Sequence, residues 1–244
     1  MHLVELSRQH HGGLRLDPAR IGEQVARCHM VPLVISEFRR ALADFPIVLA
    51  KSAETGRFSP YALMGLSPEE NLFWDGTRLD AAHVPLNLSR LPFAIGIDQQ
   101  PDGAVRNAVC VDMESPLVSE SGPEALIDGQ GRDTAYFLGV QKVLHELLSY
   151  KLMTEQFVQT LADRDLIAEM RLNIVLESGK PLVLTGLYGL DEDKFNRLPD
   201  ATVTEFRQHG YLTPAYAMML STARIQSLID RRNRAEAGDR AWFQ

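Results

Sequence analysis

Residues 167–190 read IAEMRLNIVLESGKPLVLTGLYGL. Two β-rich runs, IAEMRLNIVLES and PLVLTGLYGL, flank Ser178-Gly179-Lys180, which predicts an antiparallel hairpin. Just upstream the period is different. From Thr134 to about Leu161, Phe137, Val140, Leu144, Leu147 and Leu148 fall on one helical face. That spacing predicts an amphipathic helix, or two in series. A hairpin that follows a long helix, in a chain whose strands otherwise crowd the first half, is not a βαβ alternation. Such segregation predicts an α+β fold: antiparallel hairpins in the N-terminal half and middle, packed with a long amphipathic helix and a C-terminal helical segment.

Working toward the N-terminus, LPFAIGIDQ and NAVCVDM flank QPDGAV, a hairpin with Asp102-Gly103 as its turn. NLFWDGTRLD predicts another with Asp75-Gly76 at its tip, because Asp-Gly tolerates the positive φ of a tight turn. PIVLAKS pairs with PYALMGL across AETGRFS. In VPLVISEFRRALADFP, Val34, Phe38, Ala41 and Phe45 recur at helical spacing until Pro46 stops the helix. Leu3 to Leu16 holds two short strands around the HHGG turn. Toward the C-terminus, DEDKFNRL and ATVTEFRQHG are short helices. Three acidic residues in the first turn of the former suit the helix dipole, and Gly210 closes the latter. Thr213-Pro214 supplies an N-cap and a first-position proline for a last helix with Leu220, Ile225 and Leu228 inward. No repeat or linker divides the chain, so residues 1–244 read as a single domain with a loose tail at about 237–244. The pattern leaves open whether the hairpins share one sheet or form two.

Composition narrows the functional classes. The 244 residues are 45% hydrophobic and 23% charged, with a net charge of -7. A chain of this length buries about three quarters of its unfolded surface and needs neither disulfide nor metal to fold. Its acidic balance disfavours a phosphate backbone, so nucleic acid is not an expected partner. Cys28 and Cys110 are far apart in sequence; a single disulfide remains open, but so few cysteines suit reduced thiols in the cytoplasm. The N-terminus lacks the basic segment and apolar run of a secretory signal. The longest apolar stretches fall well short of the roughly 20 residues that span a bilayer, so no membrane insertion is expected.

Catalytic templates fit poorly. His10-His11 could ligate a metal or act as a base, but on a strand the two side chains point to opposite faces. His145-Glu146 lacks the second histidine of a zinc-protease helix, because Ser149 stands at that position. No histidine begins a His-x-Asp/Glu step, no Gly-x-Ser-x-Gly elbow occurs, and Gly129-Gln-Gly131 reads as a plain turn. Cys110 reads as a buried inert thiol, and the terminal RRNRAEAGDR as a solvated charged face. No metal, cofactor or catalytic residue is expected. Three residues stand out as a candidate ligand- or partner-binding set: His11, Glu37 at the start of the first helix, and Arg90 before Pro92-Phe93. Glu37 is a candidate carboxylate for Arg90, more readily as a structural ion pair than as a substrate contact.

VPLVISEFRRALADFPIVLAK, ALMGLSPEENLFWDG, RLPFAIGID and HGYLTPAYAMMLSTARIQSL, in that order, resemble the SapC family of bacterial proteins. The resemblance runs from about Leu3 to Arg232 and is weakest around Val118 to Thr134. The family's histidine before a Leu-Arg step falls on His11 and Leu14-Arg15. Its other elements fall on Glu37-Phe38, Pro46-Ile47-Val48, Asn71-Leu72-Phe73 and Arg90 with Pro92-Phe93. Leu79 stands where many members carry tryptophan, His83-Val84-Pro85 where they carry Tyr-x-Pro, and RLPF where a double arginine is usual.

The resemblance implies an accessory or binding protein, without enzymatic activity, that works with a surface-layer, TonB-dependent uptake or peptide-modifying system. It also implies a protein partner and a possible association with the cell surface. Homo-oligomerisation is a further expectation. An enzyme acting on a peptide or sugar, with His11, Glu37 and Arg90 as its polar centre, is the first alternative. A structural surface-layer component is the second.

Overall fold

The computed structural model describes residues 2–99 and 105–241. In chain order the elements are β1 (Leu3–Glu5), α1 (Arg8–His11), β2 (Arg15–Leu16), α2 (Gly22–Val25), β3 (Met30–Pro32), α3 (Phe38–Ala41), β4 (Ile47–Lys51), β5 (Phe58–Leu63), α4 (Leu86–Ser89), β6 (Phe93–Gln99), β7 (Val105–Asp112) and β8 (Glu124–Ala125). Then come α5 (Ala135–Asp163), β9 (Ile167–Val175), β10 (Pro181–Leu190), α6 (Glu192–Asn196), α7 (Asp200–Gln208), α8 (Leu212–Ser221) and α9 (Arg224–Ala241). The strand pairs are antiparallel and the fold is α+β, as the segregation of elements predicts.

Internal contacts divide the chain into two compact units, each drawn from two separate stretches. The first is Met1–Val25 with Leu86–Ser149; the second is Ala26–Pro85 with Tyr150–Gln244. The cut falls inside α5, so the helix contributes its first half to one unit and its second half to the other.

The first unit holds the sheet β1-β7-β6 and the pair β2-β8. Phe93, Val111, Phe137, Val140 and Leu144 form its core with Leu16 and Leu126. The side chains from α5 are those with helical spacing in the sequence, and they pack on the inward face of β6 and β7. The predicted hairpin between β6 and β7 is present, in register from Phe93 with Val111 to Gln99 with Val105. Its expected Asp102-Gly103 turn lies outside the described residues. Near the N-terminus the expectation changes. β1 and β2 do not pair with each other; β1 pairs with β7 and β2 with β8. The HHGG stretch is a helical turn rather than a strand turn, because Arg8–His11 closes a backbone bond from His11 N–H to Ser7 O at 2.7 Å.

The second unit holds the five-stranded sheet β3-β5-β4-β10-β9. The hairpins β4–β5 and β9–β10 are as predicted, and Gly179 takes φ +81° in the turn between β9 and β10. The hairpins thus divide between two sheets. Phe38, Phe45, Phe73, Phe157 and Phe206 are fully buried in this unit and meet neighbouring rings edge to face.

Several local expectations are corrected. NLFWDGTRLD forms no strands, only a Trp74–Leu79 bridge around a turn that the Asp75 side chain organises. The predicted first helix shrinks to a 3₁₀ turn (Ile35–Glu37) and α3, although Phe38, Ala41 and Phe45 are buried as its spacing requires. The last helix breaks at Thr222-Ala223 into α8 and α9. Leu228 is buried as expected, but Leu220 is 66% exposed. α8 begins at Leu212, before Thr213-Pro214. α9 continues to Ala241, so the expected tail region is helical over 237–241, and Trp242 and Phe243 lie outside the described residues.

Candidate functional site

β1 leaves its sheet because Ser7 starts a helical turn at once. Ser7 N–H donates to His11 Nδ1 at 3.0 Å, so the histidine side chain caps the start of its own turn. A neutral His11 in this bond carries its proton on Nε2. Adjacent residues on a helical turn diverge by about 100°. His10 accordingly faces solvent, while His11 is half-buried and lines a cleft. The two imidazoles do not point to opposite faces as expected of a strand: on the helical turn their ring centroids lie 6.4 Å apart, edge to face, and both Nδ1 atoms are directed at Ser7. Ser7 Oγ lies 3.4 Å from His10 Nδ1 in full solvent, longer than a nucleophile–base contact needs.

The cleft has a volume of about 270 Å³. Leu6, Val109, Leu126, Ile127 and Phe137 make its floor, continuous with the core of the first unit. Its rim is polar. Arg8 donates to Asp133 at 2.7 Å and to Gly131 O at 2.9 Å; the other oxygen of Asp133 accepts from Gln141 Nε2 at 3.0 Å. Arg106 faces Glu5 at 3.8 Å. Both arginine side chains are 65% exposed, whereas Asp133 is largely covered at 17%. The rim therefore sets two ion pairs, Arg8–Asp133 and Arg106–Glu5, beside an apolar floor. Asp128 orders the loop that carries Asp133. It accepts from the N–H groups of Gln130 and Arg132, and these bonds hold its carboxyl below the ordinary range.

Arg90 belongs to the same unit and has a different task. Its Nε donates to Asn87 Oδ1 at 2.9 Å and its guanidinium to Phe93 O, which ties α4 to the start of β6. Burial pushes this guanidinium down from its ordinary value, yet arginine stays protonated in proteins.

Glu37 lies in the second unit and is fully buried. Its Oε2 accepts from Val34 N–H at 3.1 Å, and its Oε1 is 3.1 Å from His83 Nε2. Asp44 holds the same loop by accepting from the N–H groups of Ala82 and His83. The carboxylate that the sequence offers to Arg90 is thus engaged by His83. His83 is a residue that sequence reasoning passed over. The signal was its place in His83-Val84-Pro85, where a polar aromatic residue is the family habit. Arg8, Asp133 and Gln141 were also missed, since nothing local links Arg8 to a residue 125 positions away.

The second unit has two further hollows. One of about 600 Å³ lies open beside the 52–59 turn with a mixed lining, and one of about 240 Å³ is floored by Met30, Leu63 and Leu187. Both cysteines are thiols, and burial pushes Cys28 up. Among the described residues, no group of three His, Cys, Asp or Glu side chains is placed to hold a metal ion. Within the same residues, no helix is long and apolar enough to cross a membrane.

The fold and the cleft define an α+β protein with a small amphipathic cleft. A family model, SapC, matches residues 6–228, and the chain belongs to the SapC family. No curated protein and no solved structure matches it. The matched region begins at Leu6, in the cleft floor, and ends at Leu228, a core residue of the second unit.

Proposed function

We propose that this SapC-family chain is a non-enzymatic accessory protein of the cytoplasm that binds a protein partner through the cleft around His11. The observation that carries the reading is the cleft's make-up: a continuous apolar floor with two partly exposed arginine–carboxylate pairs beside it. His11 fixes the turn that opens the cleft and offers Nε2–H to a ligand. Arg90 and Glu37, bound into local structure, serve as anchors of their own units. The partner belongs to a surface-layer, TonB-dependent uptake or peptide-modifying system, a reading supported by family membership alone.

Co-purification from the native host at low salt tests this, with wild type beside Gln141→Trp, which fills the cleft from the half-exposed face of α5. Wild type recovers a stoichiometric partner, and the variant loses it by about tenfold or more at an unchanged melting temperature. Equal recovery by the two proteins, or no partner with either, overturns the proposal.

A further inference from the structure

The cleft opens along a strand edge that β1 leaves uncovered. Leu6 N–H donates to Val109 O at 2.8 Å and Met113 N–H to His2 O at 3.0 Å. The odd-numbered residues of β7 therefore turn their N–H and C=O toward β1. Asp112 N–H donates to Pro92 O at 3.1 Å, so the even-numbered residues turn toward β6. β6 covers its side of β7 over the whole register down to Val105, whereas β1 covers its side only from Met113 to Val109. Ser7 then carries the chain off into α1. Among the described residues, no strand lies on the outer side of Asn107, whose backbone N–H and C=O face the space that β1 has vacated. By strand alternation, its side chain shares a face with Val109, toward the cleft. The open backbone and the apolar floor are therefore neighbours.

We infer that the partner's contact with this cleft is an extended peptide segment that continues the line of β1 as an added strand on β7. This rests on the proposed binding role and gives it a ligand class. Asn107 exchanges backbone hydrogen bonds with the segment. One of its apolar side chains enters the cleft against Leu6, Leu126 and Phe137, and an acidic neighbour meets Arg8 or Arg106. Size favours this occupant over a free small molecule. About 270 Å³ is below the roughly 300–1,000 Å³ of small-molecule sites but accommodates one large side chain. An acidic neighbour can still reach a guanidinium, because Arg8 and Arg106 are each 65% exposed although each also faces a carboxylate, Asp133 and Glu5. An uncovered strand edge, with its unpaired N–H and C=O groups, is a template for pairing with a second chain.

Random linear peptides roughly ten residues long, enough for one strand, are displayed on phage and selected on the full chain. A fluorescein-labelled synthetic copy of the most enriched peptide is then titrated against wild type, Asn107→Pro and Gln141→Trp. Asn107→Pro removes the outward N–H but no bond to β6, since proline is tolerated where a strand's N–H faces away from its partner. Gln141→Trp fills the cleft and leaves the backbone N–H and C=O groups of β7 in place. The expected result is enrichment of an apolar residue flanked by acidic ones, with Kd raised about tenfold or more by each variant at unchanged melting temperature. No enrichment over an unrelated protein overturns the inference. Binding lost with Gln141→Trp but unchanged with Asn107→Pro also overturns it, and leaves the cleft as a site that works without strand addition. If sedimentation instead shows a wild-type dimer that Asn107→Pro dissociates, a second copy of this chain is the occupant, and the partner-peptide inference fails.

Discussion

Glu37 shows how one residue can be picked out correctly for the wrong reason. A lone glutamate at the start of an apolar helix stands out in the sequence, and the structure does give it an exceptional setting: full burial, a bond from Val34 N–H, and the His83 imidazole at 3.1 Å. Its partner was illegible because His83 is 46 positions away and lies in a loop with no periodicity. A buried carboxylate whose removal strands both a backbone N–H and an imidazole is costly to delete. Glu37→Leu is expected to lower the unfolding free energy by about 2–4 kcal/mol in urea denaturation; a loss under about 0.5 kcal/mol, the range of neutral surface changes, contradicts the assignment. Asp75 gives a pH prediction. The N–H groups of Thr77 and Arg78, each 2.8 Å from Oδ1, together with the Thr77 hydroxyl, hold its carboxyl at about 2, below the ordinary 3.8. A depressed carboxyl pKa contributes stability that is complete above the ordinary value and is lost as pH falls through the folded one. The turn should therefore stay closed until pH approaches about 2. An NMR titration of the Thr77 and Arg78 amides is expected to give a midpoint there, and a midpoint near 3.8 would refute it.

At the scale of elements, legibility followed local signals. The hairpins β4–β5, β6–β7 and β9–β10 could be read because each joins two apolar runs close in sequence across a turn-rich stretch. The partner of β1 could not, since β7 is more than a hundred residues away and any strand edge accepts a three-residue segment. The break between α8 and α9 was hidden because Thr222-Ala223 carries neither glycine nor proline. It re-phases the helix, which is why Leu220 faces solvent while Leu228 is buried. Leu220→Lys is accordingly expected to change stability by less than about 0.5 kcal/mol, while Leu228→Ala costs about 2–5 kcal/mol. Comparable losses in thermal denaturation of the two variants would place Leu220 back in the core. The β2–β8 pair depends on a close approach: a Cβ on Gly122 would fall 2.3 Å from the backbone carbonyl carbon of Leu16. Arg15 fastens the same crossing by donating to Gly122 O and Pro123 O. Gly122→Ala should therefore cost about 1–3 kcal/mol, the usual range for overpacking, and a melting temperature equal to wild type would show that the backbone yields freely.

For the whole molecule, the α+β class was plain from the order of strand-like and helix-like stretches. The division into two compact units was not, because each unit takes two separated stretches of chain and the cut falls inside a continuous helix. No Gly-, Pro- or Ser-rich linker marks such a boundary. The candidate site was legible in one residue only. His11 was visible as half of a histidine pair, but Arg8, Asp133, Gln141 and Asn107 acquire meaning through contacts that only the folded first unit creates. The central claim is that a partner engages this cleft and its strand edge. Hydrogen exchange of the chain, free and saturated with its co-purified partner, tests that claim most directly. Slowed exchange concentrated at residues 5–11 and 106–109 is the predicted result. Slowed exchange confined to Ala26–Pro85 and Tyr150–Gln244, with the first unit unchanged, would contradict it.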